Sequence, residues 1–95
     1  YEEISEDEYV FSGRIDVEDV NDMLGTHLTR EVADTLGGFI YGEIGRVPVE
    51  GEEVRLEDWK LTVEQVLGRR IRRVRVKREP VTLEGEEKNI DESGK

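Results

Sequence analysis

The segment 59–76 carries the apolar pattern that most limits how this chain can fold. Apolar residues alternate along each half of the segment, as in a β-strand, and each half has one step of three residues instead of two. A two-residue turn at Gly68-Arg69, with glycine first as in a type II′ turn, sets these two phase breaks opposite each other. The same register places Glu64 opposite Arg73. It predicts the apolar pairs Val66–Ile71, Val63–Val74 and Leu61–Val76.

The tip of this predicted hairpin is expected to be a contact surface. The phase break turns Val66 and Ile71 to the opposite face of the ribbon, through a bulge or strong coiling, where the two side chains need a cover. That cover is another part of the domain, a second copy in a weak homodimer, or the rest of a larger protein. Around the rim lie Arg69, Arg70 and Arg72, whose guanidinium groups suit bidentate pairing with carboxylates.

A shorter hairpin precedes this one. Pairing Leu56 with Trp59 puts Val54 opposite Leu61, so the hairpin has one apolar face. The two hairpins share the strand that begins at Trp59, and together they predict an antiparallel meander of about three strands.

The stretch between Thr35 and Gly45 predicts a buried helix at the centre of the fold. Its apolar residues recur at helical spacing, Thr35 is a favourable N-cap, and Gly45 stands where a C-terminal glycine belongs. Gly37, Gly38 and Gly42 lie inside the helix, where each costs about 1 kcal/mol relative to alanine. Since that cost is tolerated best where another backbone approaches, we expect a glycine strip against a sheet or a second helix.

The residues before this helix predict a strand and a first helix. Alternating apolar residues in the segment 9–15 indicate the strand, with Gly13 at a bulge. Asp16 is a favourable N-cap for a helix that ends at Gly25. The predicted fold class is therefore α+β: a strand, two helices, and then the antiparallel meander packed on the helices.

Charge divides the chain into a compact middle and two acidic ends. The 95 residues carry a net charge of −10 and are 35% hydrophobic, which suits one small domain diluted by polar segments. Residues 1–8 contain five acidic and no basic side chains, and residues 82–95 have almost no apolar content. We predict an acidic linker over 1–8, the domain over 9–81 and a disordered acidic tail over 82–95.

The residue inventory argues against catalytic and metal centres. The chain has no cysteine and one histidine, His27, in a predicted loop without an evident acid-base partner. The acids between Asp16 and Asp22 fail the calcium-loop pattern, because Val20 stands at a ligand position. We expect no catalytic residue, no cofactor and no metal. No run is long enough to cross a membrane, and the start without methionine indicates a fragment of a larger protein.

The segment 69–78 holds seven of the 14 basic residues. A nucleic-acid interface needs a basic field and usually stacking aromatic side chains, so this acidic chain is not expected to bind nucleic acid. The simplest interpretation is a solvent-facing strand kept soluble by arginine. Binding of phosphate or another anionic ligand is the alternative.

Several short motifs, taken in their order, resemble the transporter-associated domain of the CorC/HlyC family. The resemblance covers residues 9–77. The motifs are Tyr9-Val-Phe-Ser-Gly-Arg-Ile15, Met23-Leu-Gly25, Thr35-Leu-Gly-Gly38, Gly45-Arg-Val-Pro48, Gly51-Glu-Glu-Val54, Val63-Glu-Gln-Val66 and Gly68-Arg-Arg-Ile-Arg-Arg-Val-Arg-Val76.

The resemblance implies a non-enzymatic module at the cytoplasmic C-terminus of a membrane protein, after a transmembrane region and a pair of CBS domains. Such proteins are described as magnesium and cobalt efflux or hemolysin-like proteins, and the domain is thought to modulate transport. The implied partners are those upstream domains, and the isolated domain would not insert into a membrane. The fold is grouped with part of certain FAD-binding domains, which is an analogy of fold alone.

The sequence leaves two other functions open. A nucleotide- or flavin-type ligand-binding domain is suggested by the glycine-containing helix and the arginines, although Gly37-Gly-x-x-x-Gly42 is not the dinucleotide fingerprint. A stand-alone enzyme is the third, and it lacks a nucleophile with a base in reach.

Overall fold

The computed structural model describes residues 1–80, so the acidic tail predicted over 82–95 lies outside the described residues. In the described part, two helices and a five-stranded antiparallel sheet confirm the predicted α+β class. The elements are β1 (Glu2–Ser5), β2 (Glu8–Ser12), α1 (Val17–Leu24), α2 (Leu36–Ile44), β3 (Glu53–Leu56), β4 (Trp59–Leu67) and β5 (Arg70–Arg78). The strand order across the sheet is β1-β2-β5-β4-β3. None of the helices in residues 1–80 has the length and apolar character needed to cross a membrane.

The meander of β3, β4 and β5 has the register that the apolar pattern predicts. Gly68 opens the β4–β5 turn at φ +66°, as the first position of a type II′ turn requires. Arg73 pairs with Gln65 in the ladder rather than with Glu64, yet its Nε lies 3.1 Å from Glu64 Oε1. The predicted opposite-charge contact therefore forms. The confirmed apolar pairs are Leu56–Trp59, Val54–Leu61, Val66–Ile71, Val63–Val74 and Leu61–Val76.

The hairpin tip packs differently from the prediction. Ile71 is 4% exposed and belongs to the same buried cluster as Val74, and Val66 packs against that cluster. The register skips Glu64 on β4 and Arg72 on β5, so each strand carries one extra residue between its apolar positions. These extra residues absorb both three-residue steps and keep the apolar side chains on one face. The expected turn of this pair to the opposite face is therefore wrong, and its cover is intramolecular.

Helix α2 has the predicted caps but only part of the predicted glycine strip. Thr35 caps its N-terminus, and Gly45 ends it at φ +83°. A Cβ at Gly37 would lie 2.8 Å from the carbonyl oxygen of Gly13, so this glycine does meet another backbone. The other two helix glycines are exposed and approach no other backbone: Gly38 and Gly42.

The core lies between the helices and one face of the sheet. Trp59 is 2% exposed, and its Nε1 donates to the carbonyl oxygen of Leu24 at 3.0 Å, which ties the end of α1 to β4. The guanidinium group of Arg78 lies 4.3 Å from the centroid of the same indole. Phe11 of β2 stacks on Tyr9 with ring centroids 5.6 Å apart. Strand β2 lies beside β5, with which each of its residues pairs.

The residues before Tyr9, which were expected to form a solvated linker, include strand β1. Glu3 pairs with Tyr9 and Glu2 with Val10, and all four residues of β1 are exposed. Backbone pairing at a sheet edge requires no apolar side chain, and charged side chains protect such an edge from pairing with another chain. The acidic segment therefore forms an edge of the sheet, although its composition does not indicate a strand.

Candidate functional site

A cavity of about 410 Å³ opens between the first turn of α2, the corner that follows β2, and the turn that joins β4 to β5. Its lining combines guanidinium groups, an aromatic side chain and glycine backbone. We call it the arginine pocket, lined by Arg14, Gly38, Tyr41, Arg69, Arg70 and Ile71.

Close backbone packing brings the walls of the arginine pocket together. The N–H of Gly13 donates to the carbonyl oxygen of Arg72 at 3.2 Å, and its carbonyl accepts from the N–H of Gly37 at 2.8 Å. A Cβ on Gly13 would lie 2.1 Å from the carbonyl oxygen of Ile71, a distance that no side chain tolerates. Because glycine fits here, the end of β2 reaches both α2 and β5, and Arg14 lines the same cavity as the hairpin turn.

The first turn of α2 offers no free N–H group to an anion. The N–H groups of Leu36, Gly37 and Gly38 already donate to oxygen atoms of the protein, at distances of 3.0, 2.8 and 3.1 Å. The positive charge in the arginine pocket therefore comes from its guanidinium groups and not from a helix terminus.

Other arginines of the described chain are paired with acids. Hydrogen bonds from Arg75 to Glu64 and then to Glu8 raise the pKa of its guanidinium group. Arg30 lies 2.8 Å from Asp16 and lowers the pKa of that carboxyl group. Within residues 1–80, four arginines at the hairpin tip and the corner beside it form no salt bridge: Arg14, Arg69, Arg70 and Arg72.

The structure brings together part of the contact surface predicted from the sequence. Arg69, Arg70 and Ile71 line the arginine pocket. Arg72 instead lines a second depression that extends toward β1. Val66 lies half-buried against the core and lines neither cavity. The predicted surface thus divides into a pocket and an adjoining rim.

Two residues of the arginine pocket, Arg14 and Tyr41, were not predicted from the sequence. Arg14 lies near the end of the predicted strand over 9–15 and Tyr41 lies on a predicted helix, and no pattern at either position indicates a binding site. Arg14 reaches the hairpin tip because Phe11 pairs with Val74 when β2 joins β5. The pattern of one strand does not reveal its partner in the sheet, so this proximity had no sequence signal.

The histidine forms a structural contact. His27 Nδ1 lies 3.2 Å from the Glu57 carboxylate, and its side chain is 84% exposed. The backbone N–H of His27 donates to the same carboxylate at 2.8 Å. This contact fastens the loop after α1 to the turn between β3 and β4. No group of three His, Cys, Asp or Glu side chains able to hold a metal occurs among residues 1–80.

Two helices on a five-stranded antiparallel sheet define an α+β module. The family model described as "Transporter associated domain" (CorC_HlyC) matches residues 2–80. The chain belongs to the CorC/HlyC transporter-associated domain family.

Relatives and solved structures agree with this family. The magnesium and cobalt efflux protein CorC of Salmonella typhimurium is 30% identical over 77 residues, or 81% of this chain and 26% of the relative. A Mg²⁺ and Co²⁺ transporter (CorC) associated region from Neisseria meningitidis MC58 is 31% identical with a TM-score of 0.76, over 81% of this chain and 95% of that chain. A domain of a Xylella fastidiosa hemolysin, solved in complex with Mg++ and Mn++, shares the fold at 24% identity with a TM-score of 0.69, over 75% of this chain and 86% of that chain. The chain spans about a quarter of the length of the curated relative.

Proposed function

We propose that this domain is a non-enzymatic regulatory module on the cytoplasmic face of a membrane cation transporter, of the magnesium and cobalt efflux or hemolysin-like type. The observation that carries the proposal is the family match over residues 2–80, to relatives of which the chain spans about a quarter. A module of this kind changes transport by binding two states of the transporter with different affinity. Its action therefore depends on a surface that contacts the rest of the parent protein.

We assign that contact to the hairpin tip. Leu67 is 62% exposed and pairs with Arg70 across the last step of the β4–β5 ladder. Arg69 lies in the turn beside this step and Arg72 lies two residues further along β5, and Arg69, Arg70 and Arg72 form no salt bridge within residues 1–80. Arginine is enriched at protein interfaces, and docking at the tip would also remove the apolar surface of Leu67 from water. The CBS and transmembrane domains implied by the family resemblance are the partners that we propose.

Efflux by the full-length parent protein tests this function. Removal of the domain is expected to change the dependence of Mg²⁺ or Co²⁺ efflux on cation concentration. Leu67→Asp with Arg72→Glu should reproduce that change without lowering the melting temperature, since both side chains are exposed. Val32→Asp is the matched control, because Val32 is 63% exposed but lies in the loop before α2. Unaltered efflux after removal of the domain would refute the regulatory role.

A second copy of the domain is another occupant of the tip, in a weak homodimer. Sedimentation of the isolated chain distinguishes the two. If the chain associates, and Leu67→Asp abolishes the association while the domain stays folded, the tip is a self-contact. If the chain remains monomeric at all concentrations, the tip is free for the parent protein.

A further inference from the structure

The arginines around the pocket have no acidic partner among residues 1–80, although the chain has 24 acids and 14 bases. Arg30, Arg46 and Arg75 each find a carboxylate, as the excess of acids favours. Arg14 and Arg70, together with Arg69, instead share one cavity without an acid from residues 1–80. Like charges around a cavity repel each other, and an anion that enters the cavity removes this repulsion.

The arginine pocket is built on a fixed backbone. Gly13 is held by hydrogen bonds to both β5 and α2, so the corner that carries Arg14 is anchored on two sides. Arg69 is the second residue of the two-residue turn, and Arg70 is the first residue of β5. The fixed backbone removes one part of the entropy lost on binding, while the three arginine side chains are exposed and are ordered only when a ligand binds.

The size and lining of the pocket indicate a class of ligand. Its volume of about 410 Å³ falls within the range of roughly 300–1,000 Å³ that is usual for small-molecule sites. Besides the arginines, the lining includes Tyr41, Ile71 and the bare backbone of Gly38, which suit an apolar or flat group. Guanidinium groups bind phosphate oxygens bidentately, and several of them match a dianionic phosphate better than a single carboxylate.

We propose that the arginine pocket binds a small organic phosphate, a phosphate monoester that carries a flat or apolar group. Arg14, Arg69 and Arg70 hold the phosphate, and Tyr41 with Gly38 contacts the attached group. A nucleotide and a phospholipid headgroup share this chemistry. The biological meaning rests on the proposed function, because a phosphate bound beside the docking tip changes the charge that the parent protein meets. The binding itself does not depend on that function.

Calorimetric titration of the 95-residue chain with AMP is the first test. We expect one AMP per chain, a melting temperature that rises with AMP concentration, and weaker binding at high salt. Adenosine, which lacks the phosphate, should not bind. Arg14→Gln with Arg70→Gln should weaken binding by about tenfold or more, since each guanidinium makes charge-assisted hydrogen bonds. Lys77→Gln is the matched control, because Lys77 is an exposed base of β5 that lines neither cavity.

Vesicles of phosphatidylcholine with and without phosphatidic acid distinguish the two sources of phosphate. Cosedimentation that needs both phosphatidic acid and the two arginines identifies a lipid headgroup, whereas AMP binding without cosedimentation identifies a soluble ligand. The inference is wrong if the wild-type chain binds neither probe, or if the double variant binds as tightly as the wild type. If the wild-type chain binds AMP but efflux by the parent protein does not change when the domain is removed, the result counts against the proposed function alone.

Discussion

At the scale of single residues, Gly13 and Gly37 are required for the space they leave and not for their backbone conformation. Neither has a positive φ, which within residues 1–80 occurs at four other glycines and at Glu57. Gly13 packs against the carbonyl oxygen of Ile71, and Gly37 packs against Gly13. Two absent side chains thus allow β5, the end of β2 and α2 to meet, and they fix one wall of the arginine pocket.

Alanine substitution of two glycines on the same helix tests this packing. Gly37→Ala should destabilise the domain by about 1–3 kcal/mol, because the new Cβ would meet the backbone of Gly13. Gly42→Ala should stabilise it by roughly 0.5–1 kcal/mol, since nothing lies within 4 Å and alanine favours the helix. Chemical denaturation of both variants measures the difference. Equal stability of the two would contradict the close approach at Gly37.

The acidic N-cap of α1 makes stability depend on pH. A hydrogen bond from Arg30, followed by one from the N–H of Glu18, lowers the pKa of Asp16 below its ordinary value of 3.8. A lowered pKa in the folded state contributes stability above the unfolded pKa, and this contribution is lost as the pH falls through the folded value. Asp16→Asn should therefore lower the melting temperature at neutral pH and have a smaller effect in strong acid.

The control for this pH dependence is Asp22→Asn. Asp22 lies exposed on the same helix and forms no salt bridge within residues 1–80. Melting curves should show no comparable pH-dependent difference for it. If Asp16→Asn lowers the melting temperature equally at neutral and acidic pH, its effect comes from the cap geometry and not from its charge.

At the scale of elements, the sequence predicts the pairing in the meander but not the face of the hairpin tip. Apolar spacing alone specifies the pair Val66 and Ile71. A three-residue step, however, fits either a change of face or one extra residue on the same face. The structure has extra residues at Glu64 and Arg72, one on each strand, so the face is kept. Spacing along one strand cannot distinguish these two arrangements.

The sequence predicts only those residues of the arginine pocket that lie close together along the chain. Arg69 and Arg70 are local to a turn whose position follows from the sequence. Arg14 and Tyr41 join them through the long-range pairing of β2 with β5 and through the packing of α2 on the corner at Gly13. Such contacts depend on the order of strands in the sheet, and no pattern within one segment encodes that order.

Strand β1 leads to a prediction opposite to the one that its composition suggests. A solvated linker would be removable without effect, but Tyr1 lies 5.9 Å from Phe11 between ring centroids, and the carbonyl oxygen of Asp7 accepts from Arg78 N–H at 2.8 Å. Deletion of residues 1–7 should lower the melting temperature by several degrees, since 1 kcal/mol corresponds to about 4–8 °C in a domain of this size.

The matched control for that deletion is Glu2→Ala. Glu2 is exposed, and its backbone pairing with Val10 does not depend on its side chain. Differential scanning calorimetry should give a nearly unchanged melting temperature for this variant. A deletion mutant as stable as the wild type would show that β1 contributes nothing to the fold.

At the scale of the whole molecule, the acidic surface has no built site for a divalent cation within residues 1–80. We expect titration with Mg²⁺ to give weak heats that disappear as salt is added, because diffuse charges are screened over about 10 Å at an ionic strength of 0.1 M. Stoichiometric binding at micromolar affinity would contradict this expectation and would place a metal site in the domain.

We infer that the hairpin tip, with the arginine pocket behind it, is the functional end of this domain. Hydrogen exchange measured on the isolated chain and on the full-length parent protein tests this inference. We predict that the parent protein slows exchange in residues 66–72 and at the corner of Gly13 and Arg14, while strand β3, at the far edge of the sheet, exchanges equally in both. Equal exchange at the tip in the two proteins, with protection elsewhere on the domain, would contradict the claim.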